Sequence, residues 1–247
     1  MKYKILFFVL LIGCAPDKQI KKNEGSEVLA DGTKIVRSRY SNGIVKSEVP
    51  YREGKKNGLS KSFDKNGKIS LELPYLNDKR EGQSRRFYEG GKQLYQTTEY
   101  KEDKMHGRQV KFRENGDRIS EARYENHYPC LDLIEYYKDN TKRKDYPKIV
   151  VTPIDQLESR GTYHLEISMS EKVRKVKYYL GRLTKSACLS DDLYQILQDE
   201  TRRVGRLTYN LPPGGFMMDE LNIIAAVETV YGNTYITERA YNLAIEY

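Results

Sequence analysis

The sequence predicts an all-β protein: an elongated, single-layer antiparallel array of β-hairpins followed by a β-sandwich. Three observations carry that expectation. A motif of about 24 residues returns between Gly32 and Tyr146. Glycine-bearing turns recur at the same interval, and apolar and polar residues alternate with a period of two between them.

The chain opens on Lys2 and Lys4, an apolar run over 5–12, and Leu11-Ile12-Gly13-Cys14, which has the form of a lipobox closing a signal peptide. Residues 1–13 are therefore expected to be a lipoprotein signal peptide and Cys14 the lipidated start of the mature chain. The alternatives are an ordinary secretory signal or a short anchor helix; the run falls short of the ~20 residues that span a bilayer. Two or three acyl chains hold a protein to a membrane stably where one does not. Residues 14–30, polar and lysine-bearing, are expected to be a flexible tether.

Residues 31–147 carry the repeats. The copies SNGIVKSEVPY, DKNGKISLELPY, EGGKQLYQTTEY and RENGDRISEARY place Tyr51, Tyr75, Tyr100 and Tyr124 at steps of 24, 25 and 24. Gly58, Gly82 and Gly107 keep the step, as do Phe63, Phe87 and Phe112. Glu48, Glu72 and Glu121 stand three before their tyrosines, with Thr97 in the irregular third copy. Asn-Gly at Gly43, Gly67 and Gly116, and Gly90-Gly91, supply the positive φ that two-residue hairpin turns demand. Ile69, Leu71, Leu73 and Tyr75 alternate with Ser70, Glu72 and Pro74, as though one face were covered and the other wet. A lone hairpin cannot cover its aromatic row, so tyrosine is expected to stack on tyrosine and phenylalanine on phenylalanine. Beyond Tyr124 the motif decays into a strand over 131–137, a turn that has lost its glycine, and a last strand over 142–146, as a capping copy would.

Residues 148–247 follow Pro147 without a further copy. Strands are expected at 149–152, 163–169, 173–180, 204–209, 221–230 and 234–245, with a turn at Tyr231-Gly232-Asn233 and a loop over 210–215. Residues 189–201 suit either a strand with a turn or a short helix.

The glycine turn, short strand ending in Phe or Tyr, Asn-Gly turn and strand ending E-x-x-Y together resemble the bacterial variant of the MORN repeat, over residues 32–146. That resemblance implies an elongated antiparallel β array used for self-association, scaffolding or lipid contact, with no catalytic residue to carry over. Some bacterial members are labelled antitoxin components. The stretches VRKVKYYLG, LPPGGF and IIAAVETVYGNTYI resemble bacterial immunoglobulin-like or fibronectin-like domains, which implies a spacer or binding module. Ala15 after the lipobox cysteine, by resemblance to enterobacterial sorting, implies an outer-membrane lipoprotein.

Charge is uneven: residues 37–125 carry 21 Lys and Arg against 14 Asp and Glu, whereas 148–247 carry 12 against 13. A basic array is suited either to anionic lipid or glycan, or simply to solubility. With Cys14 taken by lipid, Cys130 and Cys188 are left as one available disulfide pair, free buried thiols being the alternative. His106, His127 and His164 lie apart, in no metal-ligand spacing, and no phosphate loop or nucleophile motif is present, so no cofactor is expected. Interleaved Tyr and Lys occupy the packing ladder of an exported protein, which argues against nucleic acid. The expectation is a non-enzymatic envelope lipoprotein that binds another protein as scaffold or adaptor. Direct contact with anionic lipid or glycan, and an antitoxin or immunity role, are the alternatives.

Overall fold

The computed structural model describes residues 24–247; Cys14 and the signal peptide expected over 1–13 lie outside the described residues. The repeats fold into one antiparallel sheet of thirteen strands. In chain order these are β1 (Glu24–Val28), β2 (Lys34–Arg39), β3 (Val45–Arg52), β4 (Lys55–Lys56), β5 (Gly58–Phe63), β6 (Ile69–Leu76) and β7 (Lys79–Arg80). They continue as β8 (Gly82–Phe87), β9 (Leu94–Lys101), β10 (Lys104–Phe112), β11 (Arg118–Glu125), β12 (Tyr128–Pro129) and β13 (Ile134–Glu135). The expected tether is cut short by β1, which pairs with β2 from Glu24↔Ser38 to Val28↔Lys34. Main-chain pairing places it there, since EGSEV has no apolar alternation to betray a strand.

Two kinds of turn alternate along the sheet's two long edges. The Asn-Gly pairs do not make two-residue turns: at 64–67 the Gly67 N–H donates to Asp64 O at 3.0 Å and only Gly67, not Asn66, has positive φ. This is a type I turn closed by a left-handed glycine, and the register shifts beside it between Ser62 and Phe63. Asp64 Oδ1 stabilises it by accepting from the Asn66 and Lys68 N–H groups at 2.9 and 2.8 Å. The two-residue turns lie on the opposite edge, at Glu53-Gly54, Asn77-Asp78, Glu102-Asp103 and Asn126-His127, where both residues have φ between 48° and 77°. In the decayed copy Asn140, at φ 64°, replaces the missing glycine, and the Asn140 N–H donates to Tyr137 O. The strand expected over 131–137 shrinks to Ile134–Glu135, and 142–146 contributes only the bridge Tyr136↔Lys142.

The expected wet and covered faces of β6 do not separate: its residues from Ile69 to Tyr75 are all half-buried. A single layer has no second sheet to cover it, so long side chains from adjacent strands shade both faces. The best-buried positions in the middle of the array are uncharged polar ones, Ser84, Thr98 and Gln109, in one cross-strand row with Ala122.

The second unit comprises β14 (Ile149–Gln156), helix α1 (Leu157–Arg160), β15 (Thr162–Met169), β16 (Val176–Leu180), β17 (Tyr194–Gln195), β18 (Gln198–Asp199), β19 (Val204–Asn210), β20 (Phe216–Glu228) and β21 (Thr234–Glu246). These strands form two four-stranded antiparallel sheets, ordered β14-β15-β19-β18 and β17-β16-β20-β21. Leu165 and Ile167 of the first and Tyr178, Ile223, Ala225, Leu243 and Ile245 of the second share one buried cluster. Pro153 does not end β14, because an edge strand has no outer ladder to lose. Residues 189–201 form two short strands rather than a helix. β20 starts at Phe216, five residues before the expected strand, and ends two before the expected limit.

Candidate functional site

The ladder residues serve the array's own geometry. Gly58 pairs with Tyr75, Gly82 with Tyr100 and Gly107 with Tyr124. Each glycine has φ between 95° and 110°, and a Cβ at Gly58 would stand 3.1 Å from Pro50 Cγ. The expected stacking of one ladder tyrosine on the next does not occur: among the described residues the aromatic pairs are Tyr88–Tyr95 and Tyr146–Tyr235. Tyr75 and Tyr100 stand on β6 and β9 with β8 between them, so their rings are about 9–10 Å apart across two strand spacings. Basic side chains cover the rings instead, Lys56 at 5.1 Å from the Tyr75 centroid and Arg80 at 4.6 Å from that of Tyr100. Phe63 and Phe112 act through their carbonyls, which accept from the hydroxyls of Tyr40 and Tyr88 at 2.7 Å, one repeat away. Phe87 pairs with Leu94. Tyr51 lies between Lys34 and Lys56.

One face carries the row Arg37–Glu48–Lys61–Glu72–Arg85–Thr97–Val110–Glu121 across successive strands. Opposite charges alternate over its first five members. Arg37 Nε lies 2.7 Å from Glu48, Arg85 3.7 Å from Glu72, and Arg108 3.7 Å from Glu121. The recurring glutamates are thus cross-strand ion-pair partners, as their basic surroundings suggest. The Tyr136 hydroxyl donates to Glu121 and, with Arg118 and Arg108, holds its carboxyl below the usual range.

At its last hairpin the array holds the β20–β21 turn of the second unit in a polar socket. Lys111 Nζ donates to the carbonyls of Tyr231 and Gly232 at 3.0 and 3.3 Å. Burial lowers the Lys111 pKa, an effect opposed by the charge of Glu135. Glu135, fully buried, accepts from Thr229 Oγ1 at 2.5 Å and Asn233 Nδ2 at 2.7 Å, and pairs with Arg143 at 3.2 Å. Ser120 Oγ lies 3.3 Å from Asn233 Oδ1, and Tyr146 stacks on Tyr235 at 4.2 Å. Nearby, Cys130 and Cys188 are joined with S–S 2.00 Å, and Arg123 Nη2 donates to Ser186 O at 2.6 Å. The socket's residues come from segments about 100 positions apart, so sequence spacing carries no sign of them.

Two open clefts flank this junction and share Tyr128, Leu189, Ser190 and Asp191, with volumes of about 560 and about 820 Å³. The smaller has an apolar wall of Pro129, Tyr179, Leu193 and Ala226. The Tyr128 hydroxyl donates to Asp191 across the mouth. No group of three or more His, Cys, Asp or Glu is placed to hold a metal among the described residues. His127 lies in a turn and accepts the Met105 N–H on Nδ1 at 3.1 Å, His164 bonds Thr208 across strands, and His106 lies within β10 rather than in a turn. No described helix is long and apolar enough to cross a membrane.

Residues 56–77 match the family described as MORN repeat variant. The match covers one repeat, from the end of β4 through β5 and β6 into the following turn. No curated protein matches the chain.

Proposed function

We propose that the protein is a non-enzymatic envelope lipoprotein, held to a bacterial membrane through Cys14, that binds another protein as scaffold or adaptor. The observation that carries this reading is the socket: salt-bridged Glu135, Lys111 and the Cys130–Cys188 bridge fasten a repeat array to a second β unit, giving two presentation surfaces in fixed relation. A disulfide suits an oxidising compartment, in keeping with export. The second unit is best read as an immunoglobulin-like sandwich. Lettered in chain order with Tyr194–Gln195 as C′, its sheets run A-B-E-D and C′-C-F-G, the arrangement of that fold.

Contact with anionic lipid or glycan draws less support, since the arginines of the charged row are neutralised by glutamates one strand away. The two readings separate in a crosslinked pull-down of the lipidated protein from native envelopes, washed at low and high salt. Partners that survive high salt support an adaptor. Capture of nothing, or only of material lost at high salt, sinks it.

A further inference from the structure

β20 is 13 residues long, but its neighbour β16 covers only part of it: their pairing ends at Leu180↔Ile223, followed by the Gly181 N–H donating to Asn222 O. Residues 216–220 extend past that point with five consecutive exposed side chains. Strand alternation fixes where their main-chain groups point. The odd positions face β21, as Thr229 with Asn233 and Gly215 with Tyr247 demonstrate, so the N–H and C=O of Phe216, Met218 and Glu220 face the open side. Among the described residues only one of these groups has a partner, the Glu220 N–H, which donates to Asp219 Oδ1 at 2.7 Å.

The side chains on this edge are unusual for an open strand. Phe216 and Met218 are each 77% exposed and project from the same face, where an unprotected edge is ordinarily blunted by lysine or proline. Glu220 and Glu246, the residue paired with Phe216, share this face and Asp219 projects from the other, three carboxylates that form no ion pair among the described residues. The free edge that opens the array, β1, offers only Val28 as an exposed large apolar group.

We propose that residues 216–220 of β20 form a strand-addition site for an extended partner segment alternating apolar with basic residues. Free main-chain donors and acceptors supply the pairing, Phe216 and Met218 the apolar contact, and the carboxylates the selection for positive charge. The proposal rests on the scaffold reading and specifies its partner chemistry.

The test uses the full, disulfide-intact chain and an octapeptide alternating valine and lysine, with a valine–glutamate peptide as control. The valine–lysine peptide should slow exchange of the Phe216 and Met218 amides by about tenfold or more, and the control should not. Met218→Pro, which removes one outward N–H and leaves the bonds to β21 intact, should abolish binding; Met218→Lys should weaken it without altering the thermal midpoint. Protection elsewhere, equal binding of the two peptides, or unchanged binding by both variants overturns the site. So does concentration-dependent protection without peptide, which would make a second copy the occupant. Envelope partners retained by the Met218→Pro chain would likewise overturn the site while leaving the scaffold reading intact. Edge protection by the peptide without any captured partner supports the site and removes the scaffold.

Discussion

Glu135 accepts a hydrogen bond from Asn233 Nδ2 at 2.7 Å, joining positions 98 apart in the chain. A carboxylate with no exposure is stable only because Arg143, Thr229 and Asn233 together satisfy it. Removing it leaves Lys111 partly buried without its counter-charge and Arg143 with only Asp145, 3.8 Å away. Glu135→Ala should cost about 3–5 kcal/mol in urea unfolding, and Glu135→Gln less, because an acceptor oxygen remains. A loss below about 0.5 kcal/mol for the alanine variant would mean that the socket does not hold the two units together.

The Cys130–Cys188 bridge closes a loop across 58 positions and spans the same junction. Replacing both cysteines by serine should destabilise the chain by roughly 4 kcal/mol on the loop-entropy account. Hydrogen exchange should show the loss first in β12 and β13. Uniform loosening of the whole array would contradict a local clamp.

Asn140 occupies the left-handed position that glycine fills at Gly67 and Gly116. Asn140→Gly should therefore stabilise by about 0.5–1 kcal/mol, and Gly67→Ala should cost about 1–2 kcal/mol. The space at Gly67 admits a methyl, with Ile44 Cγ2 at 3.6 Å, so the second effect is conformational. Thermal melts of the two variants should move in opposite directions.

The pH dependence has two limbs. Hydrogen bonding by the Tyr136 hydroxyl lowers the Glu121 pKa, and the Arg206 guanidinium lowers that of Glu166. Carboxyls depressed in the folded state contribute stability above their unfolded pKa, near ~4.3, that is lost as pH falls through the folded value. Tyr136→Phe should flatten this acid limb. At the other end, burial pushes the Tyr178 phenol up to about 12. Its stabilisation is complete below ~10 and is lost as pH rises from there toward the folded value. Tyr178→Phe should remove part of the alkaline loss in a pH-jump unfolding series.

The period, the array and the second unit's main strands were legible because each left-handed turn restricts its residue type locally: Gly43, Gly67 and Gly116 mark their turns in any reading. The two-residue form of the opposite turns was not legible, because Glu102-Asp103 and Asn126-His127 carry no glycine although both residues of each adopt positive φ. The socket was invisible for a different reason. Lys111, Glu135 and Asn233 acquire meaning only from the docking of one unit on another, which no local pattern encodes. Tyrosine stacking failed as an inference because it counted residues along the chain and overlooked the intervening strand across the sheet.

Along the edge of two-residue turns, each turn is tied to the one before it. Asp78, Asp103 and His127 accept the N–H of Lys56, Arg80 and Met105, while their own N–H groups donate back to the carbonyls of those same residues. A tie that reaches back one full repeat makes the array a ruler graduated in hairpins. One extra residue is absorbed on the opposite edge, in the turn at Gly90-Gly91, without disturbing the Asp103 or His127 ties, whereas duplicating or deleting a whole copy would preserve the period itself. Evolutionary change in the length of this protein is therefore expected in increments of two strands, about 9–10 Å each, so that the reach of the second unit is set by copy number.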